Sequence, residues 1–223
     1  MQQYLEVEAL LTAPHSNYFY PIPNWVAEIM VKKANIQPNM SVLEPSAGTG
    51  ILCEYIRKFS SNLHCVEQFY LNQLILTLKG YLVVWDDFLT YYPRKLYSRI
   101  IANPPFPAQE LHITHAYYHC LAPNGRLVFL MSNAAFESKQ GYYQKFRKWF
   151  ELVGGISIQM PEELYVTASK PSDVKCYLAI IDKLPPHPFH EIYRITEARP
   201  HRGYLHDSNY FTRRRRVCYL IGN

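Results

Sequence analysis

Short apolar runs alternate with stretches of helical periodicity along most of this chain, and each of the first four runs stops at a polar residue. Ser41-Val42-Leu43-Glu44 is the first, Leu63 to Val66 before Glu67 the second, Tyr81 to Trp85 before Asp86-Asp87 the third, and Arg99 to Ala102 before Asn103 the fourth. Helix-like segments lie between and around them: an apolar stripe from Trp25 to Ala34, then Ile51 to Phe59, Phe69 to Lys79, and Ala108 to Leu121. Arg126 to Met131 reads as a fifth strand, Tyr142 to Leu152 as an amphipathic helix, and Ile156 to Gln159 and Cys176 to Ile181 as the last two strands. Strands that alternate with helices need crossover connections, so the pattern predicts an α/β fold with a mostly parallel seven-stranded sheet and helices on both faces. Such sheets bind ligands beyond the carboxyl ends of their strands. Glu44, Glu67, Asp87 and Asn103 are therefore expected to converge on one site.

The fourth run ends in Asn103-Pro104-Pro105-Phe106. Two consecutive prolines donate no backbone hydrogen bond and fix φ near −65°. Asn103, preceding a proline, is pushed to extended geometry. A strand that stops this way presents an amide side chain, free carbonyls and one aromatic ring on a stiff loop. That set suits a planar ring carrying an exocyclic amine: the ring stacks on Phe106, and the amine donates to the Asn103 side-chain oxygen and the Pro104 carbonyl.

The first run leads into Pro45-Ser46-Ala47-Gly48-Thr49-Gly50, between a strand and a helix. The lysine of a phosphate-binding P-loop is missing, as is the third glycine of the dinucleotide fingerprint. Glycines here let backbone approach a ligand closely. Glu67, at the end of the next strand, is placed to accept both hydroxyls of a ribose. Asp87 and Phe88, one strand further on, are placed to bracket an adenine, the carboxylate reading its amine and the ring packing on its face. A ligand with ribose and adenine but no required phosphate is S-adenosylmethionine.

The chain has 223 residues, is 48% hydrophobic and 15% aromatic, and is too apolar for a disordered protein. It contains no apolar run long enough to span a membrane, and its N-terminus does not read as a signal peptide. Five cysteines (53, 65, 120, 176 and 218) are scattered without C-x-x-C spacing, which predicts reduced thiols and a cytoplasmic protein with no structural zinc. The net charge is +5, and most of the excess lies from His187 onward, where seven arginines face Glu191, Glu197 and Asp207. A basic end on a near-neutral body predicts a polyanionic partner, most often nucleic acid.

Taken together, Phe19-Tyr20-Pro21-Ile22-Pro23, Val42 to Gly50, Asp87-Phe88-Leu89 and Asn103 to Phe106 resemble the methyltransferases of adenine N6 in nucleic acids, in the γ order that puts cofactor motifs before the catalytic one. The resemblance continues through Gly125-Arg126-Leu127-Val128 and Met160 to Tyr165, and so covers about residues 18–183. The Asn-Pro-Pro-Phe motif alone is less specific, since guanine N2 and glutamine methyltransferases carry a similar one. The resemblance implies a Rossmann-like class I methyltransferase fold. It also implies that Tyr20, Ile22 and Pro23 line the methionine end of the cofactor, and that Glu44, Ala47, Gly48 and Gly50 hold its amino acid part. Glu67 would hold the ribose, and Asp87 with Phe88 the adenine. Asn103, Pro104, Pro105 and Phe106 would be catalytic, with Tyr165 opposite Phe106 on the substrate base. Ile22 stands where this family often has threonine. Only about 40 residues remain where DNA enzymes of this kind carry a large recognition domain.

The expected organisation is a catalytic domain at 1–183, with an N-terminal segment at 1–19, and a basic extension at 184–223. Arg213 and Arg214 begin an arginine run with Tyr204, Tyr210, Phe211 and Tyr219 nearby, a composition that fits phosphate contacts and base stacking. The favoured substrate is DNA. Structured RNA is the first alternative, and a catalytically silent nucleic-acid-binding subunit working for a partner is the second. A separate specificity subunit fits the short extension. His112, His115 and His119 share a helical face but have no acidic or cysteine ligand nearby, and so read as structural or surface residues rather than a metal array.

Overall fold

The computed structural model describes residues 22–161 and 174–184. These fall in the first of the two units into which the chain divides, Met1–Tyr193 and Arg194–Asn223. In chain order the elements are α1 (Asn24–Ala34), β1 (Val42–Glu44), α2 (Ile51–Arg57), β2 (Leu63–Val66), α3 (Tyr70–Leu78), β3 (Leu82–Trp85) and β4 (Tyr97–Ala102). They continue with α4 (Gln109–His115), β5 (Leu121–Ser132), α5 (Ala134–Glu137), α6 (Gly141–Leu152), β6 (Ile156–Gln159) and β7 (Cys176–Asp182). The seven strands form one sheet in the order β3-β2-β1-β4-β5-β7-β6. β1 to β5 pair in parallel, and β7 runs antiparallel to β5 and β6. The expected α/β architecture is therefore present, with the class I methyltransferase strand order.

The order reverses between β1 and β4, so the chain leaves the sheet in opposite directions from these neighbours. That opens a crevice at their carboxyl ends. β1 carries Glu44 and the glycine loop, and β4 carries the Asn-Pro-Pro-Phe turn.

Period-two alternation sends successive strand residues to opposite faces. On one face Val42, Ile101, Val128, Leu130, Leu178 and Ile180 join a continuous cluster with Val26, Met30 and Val31 of α1 and Leu52 and Ile56 of α2. On the other, Tyr117, Phe146 and Trp149 are fully buried, and the Tyr117 and Trp149 rings meet edge-on at 5.7 Å. Burying one such ring stabilises the fold by about 1.5–3 kcal/mol. α1 is also pinned at its C-terminal end: Arg99 Nε donates to the Ala34 carbonyl (2.6 Å), and Arg126 Nη1 to that of Lys33 (2.9 Å). Arg126 in turn grips Asp182 through two bonds of 2.6 and 2.8 Å, which holds the Asp182 carboxyl below its ordinary range.

Three local features differ from expectation. β5 starts at Leu121 rather than Arg126, because the Pro123-Asn124-Gly125 breaker is absorbed as an irregularity: Asn124 takes φ 60°, its N–H donates to the Lys183 carbonyl (2.7 Å), and the Lys183 N–H donates to the Gly125 carbonyl (2.9 Å). The helix expected from Ala108 to Leu121 is α4 followed by a π-helical turn, Ala116–Cys120. Cys53 and Cys65, distant in sequence, lie with their sulfurs 3.4 Å apart as buried free thiols. That separation is well beyond a disulfide bond. No helix among the described residues is long and apolar enough to cross a membrane.

Candidate active site

The glycine loop is held from every side. Ser46 N–H donates to Glu44 Oε1 (3.0 Å), Ala47 N–H to the Val66 carbonyl (3.1 Å), and Gly48 N–H to Glu67 Oε2 (2.7 Å). Gly50 closes the turn onto the Ala47 carbonyl (2.9 Å) and begins α2 at φ 95°, a conformation that L side chains rarely adopt. Lys79 Nζ reaches the Thr49 carbonyl (2.9 Å) and Glu54 (2.8 Å), stapling the loop to α2.

Glu67 stands just past β2. Besides Gly48, it accepts the Phe69 N–H at 2.7 Å through Oε1, and the side chain of Asn72, on α3, also bonds to it. With the Gln68 N–H as a fourth donor, these bonds match the roughly four lone-pair sites of a carboxylate and hold Glu67 rigidly in place. Burial pushes its pKa up, opposed by those hydrogen bonds. Glu44, at the end of β1, is fully buried, and burial pushes its pKa well up despite the Ser46 bond. Its second oxygen, Oε2, has no hydrogen-bond partner among the described residues. A buried acceptor of this kind costs stability until a donor arrives. The ammonium of an amino-acid-bearing cofactor is such a donor, and two buried carboxyl groups suit a ligand that also carries a positive sulfonium. The residues present fit S-adenosylmethionine.

Asp87 follows β3. Its Oδ1 accepts the Leu89 N–H at 3.0 Å and starts a short helical turn, Phe88–Thr90. Phe88 is buried, its ring tilted against His112 (5.3 Å) and edge-on to His115 (5.0 Å). His112 Nδ1 lies 3.4 Å from Ser46 Oγ, so this histidine links the glycine loop to the end of β3. His115 Nε2 donates to the Tyr91 carbonyl (2.9 Å), and burial lowers its pKa, keeping it neutral. His119 continues the stack onto Tyr92 at 5.0 Å. Among the described residues no group of three His, Cys, Asp or Glu side chains is placed to hold a metal ion. The histidines form an aromatic seam behind the site.

Asn103, half-buried, follows β4 directly, Pro104 is buried, and the Phe106 ring is half-buried against the same apolar cluster that takes in Ile22 and Ala47. The structure thus brings Ile22, Glu44, Ala47, Gly48, Gly50, Glu67, Asp87, Phe88 and Asn103–Phe106 to the carboxyl edge of β1–β4. Pro23 sits just before α1, its carbonyl accepting the Val26 and Ala27 N–H groups at 3.0 and 3.2 Å. Tyr20, Tyr165, Arg213 and Arg214 lie outside the described residues.

Sequence reasoning missed Asn72, Lys79, Gln109 and Ser132. The polar pair Asn72-Gln73 in the first turns of α3, just after Glu67, is a usable signal, and so is Gln109 directly behind the proline turn. Lys79 and Ser132 act across the fold and carried none.

No family model matches the sequence, and no curated protein does either. Solved structures do. A type I restriction-modification methyltransferase subunit from Streptococcus thermophilus superposes with TM-score 0.61 at 17% identity, over 81% of this chain and 48% of that one. The 23S rRNA methyltransferase ErmE gives TM-score 0.58 at 13% identity, over 78% and 75%. An O-methyltransferase from Bacillus cereus, solved in complex with SAH, gives 0.56 at 14%, over 82% and 90%. At these identities the likeness shows the fold, that of class I S-adenosylmethionine-dependent methyltransferases. The chain spans about half the length of the restriction-modification subunits it resembles.

Proposed function

We propose that this protein is an S-adenosylmethionine-dependent methyltransferase that modifies the N6 amine of adenine in DNA. The observation that carries the reading is the meeting, across the β1/β4 switch point, of a buried acidic glycine loop with an Asn-Pro-Pro-Phe turn. Glu44, Ala47, Gly48 and Gly50 would hold the amino acid part of the cofactor, Glu67 the ribose, and Asp87 with Phe88 the adenine. Tyr20, Ile22 and Pro23 would line its methionine end. When bound, the cofactor supplies an electrophilic methyl group on a sulfonium.

The chain's own residues supply the rest. An adenine amine is a poor nucleophile because its lone pair is delocalised into the ring. Asn103 Oδ1 and the Pro104 carbonyl would accept hydrogen bonds from its two N–H groups, favouring a pyramidal nitrogen with an available lone pair; methylation would leave the cofactor as its neutral thioether and release one amine proton to water. Holding the two reactants in line can contribute roughly 7–11 kcal/mol, so no covalent intermediate is required. A base inside a duplex is out of reach and must be flipped, at a cost of a few kcal/mol. Stacking on Phe106 and Tyr165, worth about 1–3 kcal/mol per base, would offset part of that. Arg213, Arg214 and their neighbours would contact phosphates.

Structured RNA is the second reading, supported by the likeness to the 23S rRNA methyltransferase ErmE. On DNA a separate specificity subunit is the proposed partner, the restriction-modification neighbours being themselves subunits. The test is Asn103→Ala: methyl transfer is lost while calorimetric cofactor binding stays at the wild-type level. Transfer that survives the substitution would remove Asn103 from the chemistry.

A further inference from the structure

β4 makes its last ladder pair, Ala102 with Phe129, and then turns away at Asn103, while β5 runs on through Leu130 and Met131 to Ser132. The prolines at 104 and 105 have no N–H with which to continue the ladder. β5 beyond Phe129 still pairs with β7 on one side but has lost its neighbour on the β4 side, in the interior, where every polar group needs a partner.

Gln109 takes that place. Its Oε1 accepts the Ser132 N–H at 2.7 Å, and its Nε2 donates to Ser132 Oγ at 2.8 Å and to Glu110 Oε1 at 3.3 Å. Gln109 is fully buried, and Ser132 and Glu110 nearly so. The carboxamide supplies, from a side chain, the acceptor for the Ser132 N–H that a strand residue would have offered, and adds a bond to the Ser132 hydroxyl. Residues 103–108 are thus tied at both ends to one strand: through Ala102 to Phe129, and through Gln109 to Ser132. Between these anchors the turn is braced by Ala108 N–H on the Pro105 carbonyl at 2.9 Å.

We propose that Gln109 is a positioning residue for methyl transfer. It fixes the Asn-Pro-Pro-Phe turn against the end of β5, so that Asn103 and the Pro104 carbonyl meet the substrate amine without a search. The proposal rests on the function read above. It places Gln109 in contact with neither substrate nor cofactor, because it acts through the turn. It also distinguishes the two halves of the site: the glycine loop's backbone is anchored on Glu44, Val66 and Glu67, and α4 touches that loop through His112 Nδ1, 3.4 Å from Ser46 Oγ.

The test compares the full-length wild type with Gln109→Ala, Gln109→Glu and Ser132→Ala. Amide hydrogen exchange needs neither cofactor nor substrate. In Gln109→Ala the amides of Phe106, Ala108 and Ser132 exchange faster, while those of Gly48 and Phe69 hold their protection. In single-turnover assays its transfer rate falls by about 10- to 100-fold, the scale expected of a misplacement of about 1 Å, with cofactor affinity unchanged. Ser132→Ala keeps the Ser132 N–H bond to Oε1 and loses less. Gln109→Glu keeps that acceptor but puts a second carboxyl beside Glu110, so its rate recovers as pH falls and the acid regains a proton to donate. Unchanged exchange over 106–108 in Gln109→Ala would overturn the proposal, as would a Gln109→Glu pH profile parallel to wild type. If Gln109→Ala fails to fold, Gln109→Glu and Ser132→Ala carry the same comparison. If exchange shifts as expected but the wild type methylates no nucleic acid, the functional reading falls and the clamp stands as structural, which removes the catalytic half of the proposal.

Discussion

Gly50→Ala tests how tightly the glycine loop is built. Gly50 sits at φ 95°, and a Cβ there would lie 3.0 Å from Leu76 Cδ2 and 3.3 Å from Tyr81 Cε2. Left-handed backbone costs an L residue about 1–2 kcal/mol. Both contacts are with side-chain ends that can yield a few tenths of an ångström, so crowding adds about 1–2 kcal/mol. Alanine returns about 0.4–1 kcal/mol by restricting the unfolded chain. The net loss is about 2 kcal/mol, or about 1 M in urea midpoint at a slope of about 2 kcal/mol/M. Gly154→Ala is the internal control. Its φ is 74° but nothing lies within 4 Å of the added Cβ, so strain acts alone and the loss is about 0.5–1 kcal/mol. Gly141, with neither positive φ nor a neighbour within 4 Å, should gain about 0.4–1 kcal/mol as alanine. Urea unfolding followed by circular dichroism reads all three. Equal midpoint shifts for Gly50→Ala and Gly154→Ala would refute the packing of Leu76 and Tyr81 under the loop.

Glu44→Gln removes a buried group whose pKa burial raises well above 4.5. Such a group's stability contribution is fully present below its unfolded pKa and lost as pH rises through the folded one, so the variant's stability advantage should grow as pH rises from about 4.5; an advantage independent of pH in urea titrations would contradict this. Arg126→Ala gives up the Asp182 pair and the cap on Lys33, with a loss of about 0.5–1 kcal/mol, since the pair is partly exposed. The Asp182 pKa is depressed, so that part of the loss should disappear as pH falls through and below 3.8, measured by urea midpoints across acid pH.

The parallel sheet was legible because each strand is a short β-rich run stopped by a polar residue; Leu63–Val66 and Ile156–Gln159 match their expected bounds. The convergence of Glu44, Glu67, Asp87 and Asn103 followed from topology alone, since parallel strands end on one side. The pairing of Gln109 with Ser132 did not, because it joins residues 23 apart through the fold. Nor did the histidine seam: helical spacing put His112, His115 and His119 on one face, but only packing against Phe88 and Tyr92 says what that face meets. The Pro123-Asn124-Gly125 breaker misled because local sequence signals a turn, while the β7 side of the ladder lets β5 absorb it.

The most direct measurement is transfer of labelled methyl from S-adenosylmethionine to plasmid DNA and, in parallel, to total RNA, with nucleoside digestion and Asn103→Ala as the control. N6-methyladenine in DNA, absent with Asn103→Ala, is the expected result. Label confined to RNA would make structured RNA the substrate. No label in either, with cofactor bound normally, would contradict catalysis by this chain alone and leave the nucleic-acid-binding subunit reading in its place.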